Sequence, residues 1–195
     1  MKLEISRGVS KATAGSAPAW RIVTSQQSDM GGAVDTFDLD QTTLLPLRWA
    51  VQQGPATVVL EFTPEAVKGI VKMGANEMPV NIALTAPVFG DGSSLETLVA
   101  ALPLAAGFET TLRVFDFQVQ QARAMSLSVA GMETITVPAG SFECFKVMLK
   151  PIGEETGGST IYVGTKDPRC MIRGVFELPP AAGGGTVNVD LVSVQ

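Results

Sequence analysis

Histidine is missing from all 195 residues, and this removes most of the chemistry open to the chain. Ser-His-Asp and Cys-His catalytic arrangements are excluded. So are zinc sites with histidine ligands, and two cysteines are too few for an all-cysteine zinc site. Carboxylates and thiols remain. Asp35, Asp38 and Asp40 cluster near one strand, with Asp38 and Asp40 on a shared face. Such a pair can bind a hard cation or act in general acid/base work. More often, acids so placed are a solvated strand face and its flanking turns, and the cluster lacks the residue order of a calcium loop. Phe89-Gly90-Asp91-Gly92-Ser93 offers backbone amides to an anion. With two glycines and no following lysine it is neither a P-loop nor a dinucleotide fingerprint, and a helix-capping turn explains it. No catalytic residue, metal site or cofactor is expected.

Cys144 and Cys170 lie on strands joined through one intervening strand. A hairpin centred near Glu154 sets Cys144 opposite Gly164, and a turn at Asp167 sets Gly164 opposite Cys170. The thiols then sit level but two strands apart, roughly 9.6 Å at strand spacing, too far for a disulfide. Without histidine, neither has the neighbouring base of a catalytic cysteine.

The elements that position these residues are mostly strands. Short alternating or β-branched runs recur between turn signals: Trp20 to Thr24, Asp35 to Asp40, Leu44 to Gln52, Thr57 to Phe62 and Met78 to Ala86. Lys11 to Pro18, Met30-Gly31-Gly32 and Gln53-Gly54-Pro55 are expected as turns. Thr63-Pro64-Glu65 opens either a helical turn or a strand. After residue 107 the pattern is a meander. Its runs are Phe108–Phe117, Met125–Val129, Met132–Val137, Phe142–Lys150, Thr160–Thr165, Cys170–Leu178 and Thr186–Val194, with loops at Gly153–Ser159 and Pro179–Gly185. The clearest helix follows Asp91, where Ser93 and Glu96 have capping-box spacing and Leu95, Leu98, Val99 and Leu102 recur at helical period until Pro103. The whole reads as one mainly β domain over residues 1–195. It is expected as a large curved antiparallel sheet, a half-barrel or open barrel, of about ten strands with one or two short helices.

Composition narrows the partners. Hydrophobic residues make up 46 % and charged residues 17 %, below the roughly 25 % usual in globular domains. The net charge of −5 comes from scattered residues with no basic run, so neither nucleic acid nor an anionic membrane surface is an expected partner. No apolar run is long enough to span a bilayer as a helix. Met1 to Gly8 is no export leader, which leaves a cytoplasmic protein or an exported one whose leader has been removed. The apolar excess gathers at Leu95, Leu98, Val99, Leu102, Leu104 and Phe108, which either close the sheet's core or roof a slot for an acyl chain or other apolar ligand. Scattered methionines, such as Met125 and Met148, suit either.

Three segments resemble a poorly characterised family of bacterial cell-envelope proteins, known mainly as a domain of unknown function. They are Asp40-Gln41-Thr42-Thr43-Leu44-Leu45-Pro46-Leu47-Arg48; Ala86-Pro87-Val88-Phe89-Gly90-Asp91-Gly92 with Leu102-Pro103-Leu104; and Val137-Pro138-Ala139-Gly140-Ser141-Phe142 with the later Asp167-Pro168-Arg169 turn. The third, a VPAG-x-F strand entry, is also similar to periplasmic proteins related to lipoprotein carriers, whose curved sheet forms a half barrel closed by helices. The resemblance implies a periplasmic or outer-envelope protein whose native leader has been removed, with no established catalytic residue to carry over. Three functions follow, in order. The first is a non-enzymatic envelope protein binding a lipid or apolar ligand on the concave face, at Leu95, Leu98, Val99, Leu102 and Phe108. The second is a structural or partner-binding envelope module, and the third a hydrolase working through carboxylates such as Asp38 and Asp40.

Overall fold

The computed structural model describes residues 3–28, 31–153, 157–178 and 184–194. The chain is mainly β and antiparallel, with thirteen strands in two sheets and one short helix, α1 (Ser93–Ala101), among the described residues. It divides into two compact units, Met1–Ser94 with Phe115–Ala122, and Leu95–Val114 with Arg123–Gln195.

The first unit holds a seven-stranded sheet whose strands follow sequence order: β1 (Leu3–Ala14), β2 (Ala17–Ser28), β3 (Gly31–Asp40), β4 (Pro46–Gln53), β5 (Ala56–Phe62), β6 (Ala66–Met73) and β7 (Asn76–Ala83). Three of its hairpins turn on two residues that start with a glycine at positive φ, Gly15 (60°), Gly54 (53°) and Gly74 (61°), the backbone that such tight turns require. One expectation is corrected here, and one open alternative is decided. Lys11–Pro18 is not a long turn: Ala14 pairs with Ala17, and small residues continue both strands to the Gly15-Ser16 tip. Thr63-Pro64-Glu65 is a turn into strand β6 rather than a helical start, because the Thr63 hydroxyl accepts the Ala66 N–H (3.0 Å) and donates to the Ala66 carbonyl (3.1 Å). Of the turn expected at Met30, that residue lies outside the described ones, while Gly31 and Gly32 already belong to β3.

The period of two gives this sheet two different faces. On one, Ile22, Phe37, Trp49, Leu60, Gly69 and Val80 are successive cross-strand partners, and Ile22, Phe37, Leu60 and Val80 are buried. On the other, one residue along, runs a ladder of alternating charge: Arg21, Asp38, Arg48, Glu61 and Lys68. Opposite charges across strands favour this register, and a slip by one residue would put the charges on the apolar face. Beside the ladder, Ala50, Val59, Ile70 and Pro79 form an apolar row.

The second unit holds most of a six-stranded sheet: β8 (Glu109–Asp116), β9 (Gln121–Val137), β10 (Gly140–Pro151), β11 (Ser159–Gly164), β12 (Met171–Glu177) and β13 (Thr186–Asp190). The two strands expected around Gly131 are one strand, β9. β9 itself carries the irregularity: Lys146 pairs with Gly131 and Val147 with Val129, so Ala130 is the extra residue of a bulge, and Gly131 takes a φ of 150° beside it. The thiols lie as spacing demanded: Cys144 pairs with Gly164, whose N–H donates to the Cys170 carbonyl (3.1 Å), and no disulfide joins them. Burial pushes the Cys144 thiol up to about 11, with smaller contributions from Cys170 and Glu143, so it is an inert core group. Arg173 and Asp190 form a two-point ion pair across β12 and β13 (2.5 and 2.7 Å) that holds the Asp190 carboxyl below its ordinary range. The loops expected at Gly153–Ser159 and Pro179–Gly185 lie partly outside the described residues, at 154–156 and 179–183.

Candidate functional site

The acids of β3 separate by parity. Asp38 sits on the ladder face, its side chain 1 % exposed, and accepts two hydrogen bonds from the Arg21 guanidinium (2.6 and 2.8 Å). Asp40 closes the turn after the strand, accepting the N–H groups of Thr42 and Thr43 and the Thr43 hydroxyl. These bonds hold its carboxyl below the usual range. Both acids are occupied by structural partners, and they do not converge on a cleft.

Asp35 is on the opposite face, in the cross-strand row Arg7, Thr24, Asp35, Val51. Its two oxygens accept the Trp49 indole N–H (2.7 Å) and the Ser93 hydroxyl (3.1 Å). Burial pushes its carboxyl above the ordinary range, against the pull of those two bonds and of the Arg7 charge. Ser93, expected only as a helix-capping residue, therefore also ties the start of α1 to β3.

Asp35 borders a pocket of about 90 Å³ lined by Phe37, Trp49, Phe62, Phe115 and Phe117, by the Gly90-Asp91-Gly92 turn, and by no basic residue. That lining takes four of the chain's nine phenylalanines and one of its two tryptophans. The rings are set in more than one plane. Phe37 stacks on Trp49 (5.5 Å, 13°), while Trp49 meets Phe117 at 76° and Phe62 meets Phe115 at 85°, geometries that aromatic pairs favour. Gly90 is needed here for room: a Cβ would lie 2.8 Å from both the Phe37 ring and the Ser94 hydroxyl.

The apolar candidates of the helix and its exit are distributed differently. Leu95, Leu98, Val99 and Leu104 are buried, while Leu102 and Phe108 are half-buried. The VPAG-x-F segment builds the β9–β10 hairpin, with Gly140 opposite Val137 at a φ of 131° and Phe142 packed on the Ile135, Val137, Cys144 and Ile172 cluster. In the Asp167-Pro168-Arg169 turn, Arg169 donates to the Leu102 carbonyl just beyond α1 (3.1 Å), where a cation complements the helix end. Both motifs do structural work.

A family model described as a protein of unknown function, DUF3108, matches residues 2–191. The chain belongs to the DUF3108 family. A family of unknown function is what the three segments resembled, and the DUF3108 match spans both units. No curated protein matches the chain. Among solved structures, a Bacteroides fragilis protein with a YmcC-like fold is 13 % identical over 99 % of this chain and 95 % of that one, at a TM-score of 0.32. Among the described residues of this DUF3108 protein, no three His, Cys, Asp or Glu side chains gather as metal ligands, and no helix is long and apolar enough to cross a membrane.

Proposed function

We propose that this DUF3108 protein is a non-enzymatic binding protein of the periplasm or outer envelope that holds one small group of its ligand in the aromatic pocket of its first unit. The observation that carries the proposal is the concentration of five rings around an open space beside the half-buried carboxylate of Asp35. The volume, about 90 Å³, is well under the roughly 300 Å³ at which pockets enclose whole ligands. The pocket therefore takes an end or side group of a lipid or lipidated peptide, and the remainder lies outside it. Leu95, Leu98 and Val99, at 7 % exposure or less, suit a closed core better than a slot, so the pocket replaces them as the preferred place for the ligand.

The test uses Trp49 as its own reporter. In a Trp20→Phe background, 3,3-dimethylbutan-1-ol, a small branched alcohol, should change Trp49 fluorescence saturably. Phe117→Ala should weaken that binding about 5- to 10-fold, since a ring contact contributes on the order of 1 kcal/mol. Native mass spectrometry of the purified protein should show a lipid-sized adduct. No saturable response together with an adduct-free spectrum would sink the proposal. The second reading, a partner-binding envelope module, is favoured by the row Ala50, Val59, Ile70 and Pro79, in which Val59 and Ile70 are 37 % and 40 % exposed. A second protein in the native spectrum, with no small adduct, would favour it.

A further inference from the structure

The geometry points to a cationic alkylammonium group as the occupant of the aromatic pocket, with ring walls from Phe37, Trp49 and Phe117 and counter-charges from Asp35 and Asp91. This rests on the pocket being a binding site and adds the charge of what it binds.

The lining combines two carboxylates and five aromatic rings with no base. A purely apolar occupant has no use for the acids, and a carboxylate held among rings is costly unless something offsets its charge. A metal ion would use the acids but not the rings, and a hard cation asks for six or more oxygen ligands. An alkylated ammonium uses both. Its methyl groups pack on the rings, and its spread positive charge is drawn to ring faces within about 6 Å and to the nearby carboxylates. Size agrees: a cavity of about 150 Å³ takes benzene, so about 90 Å³ has room for about four heavy atoms, as in a trimethylammonium head. Perpendicular ring planes let such a head be met from several sides. Arg7 offsets part of the Asp35 charge from two strands away, where it donates to the Thr24 hydroxyl (3.3 Å). It does not line the pocket, whose rim also carries the exposed Asp91. The raised carboxyl of Asp35 fits a site that completes its charge balance on binding.

The decisive comparison is between choline and its uncharged carbon isostere, 3,3-dimethylbutan-1-ol, titrated calorimetrically into the full-length protein at low ionic strength. Choline should bind at least 10-fold more tightly. Asp35→Asn should bring that preference below about 3-fold. Asparagine keeps the site's bonds, because its oxygen accepts the Trp49 indole N–H and its nitrogen donates to the Ser93 oxygen. Should that variant fold poorly, Asp91→Asn at the exposed rim gives a second reading, with the choline-to-isostere preference expected to fall about 3-fold. Equal binding of choline and the isostere overturns the ammonium site and leaves the apolar pocket standing. Binding of neither overturns both. Dihexanoylphosphatidylcholine below its micelle concentration then separates two sources of the same group: tighter binding than choline supports a lipid headgroup, and weaker binding supports a free amine.

Discussion

Gly69→Ala should cost the protein about 3 kcal/mol or more, at or beyond the upper end of ordinary overpacking penalties. Gly69 faces Leu60 across β5 and β6 in the middle of the buried row. A Cβ built there would lie 1.9 Å from the Val59 carbonyl oxygen and 2.9 Å from the Leu60 Cα. These are backbone atoms held by strand pairing on both sides, so no rotamer change relieves the contact. The alanine must separate β5 from β6 or fail to fold, and Trp49 and Leu60, in the same row as the pocket wall, would move with it. Gly8→Ala on β1 is the control. Nothing lies within 4 Å of its Cβ position, so its effect should stay within about 0.5 kcal/mol. Urea unfolding followed by circular dichroism measures both, and a Gly69→Ala midpoint equal to that of Gly8→Ala would refute the close approach.

Arg21→Gln should cost about 2 kcal/mol. It removes the two-point partner of Asp38, whose side chain is 1 % exposed, and leaves a buried carboxylate without its main counter-charge. Removing one member of a fully buried pair costs about 3 to 5 kcal/mol. The Arg21 side chain is 40 % exposed and Arg48 stands on the other side of Asp38, so solvent and a second cation reduce the loss. The double variant Arg21→Gln/Asp38→Asn should recover at least half of it, because the stranded charge is gone. An Arg21→Gln protein as stable as the parent would show that the ladder is ornamental.

What could be read in the sequence was whatever depends on local period and short connections. The helix after Asp91 is expected from its capping residues and leucine spacing, and α1 begins at Ser93. The level, unbridged cysteines follow from counting through two hairpins. Lys11–Pro18 misled because its small residues carry no alternation, although they pair without difficulty at the Gly15 tip. The pocket was beyond reach for a different reason. Its rings come from β3, β4 and β5, from the end of β8 and from the residue just beyond it, and only the strand register sets Phe37 opposite Trp49. The acids were visible, yet Asp38 and Asp40 drew notice for sharing a face. Asp35 has the opposite parity, which sets it with Phe37 and Trp49. The usable signal was the indole-bearing Trp49 two residues before Val51, the β4 partner of Asp35.

Asp35 also carries a stability cost with a definite sign. Its folded carboxyl is raised above the unfolded value by burial. Above the folded value both states are ionised and the folded state bears the full penalty. As pH falls through the folded value the penalty shrinks, and it is gone below the unfolded one.

The most direct test of the pocket as a cation site is a ¹H–¹⁵N spectrum of the two indole N–H groups. The Trp49 indole donates to Asp35 inside the site, while Trp20, on β2 near Lys11, serves as the internal reference. Adding choline should move the Trp49 signal saturably and leave Trp20 in place, and acid titration of the unliganded protein should move Trp49 at a pH above the ordinary aspartate range of about 3.9. A Trp49 signal that ignores choline, or that moves only in step with Trp20, would contradict the site.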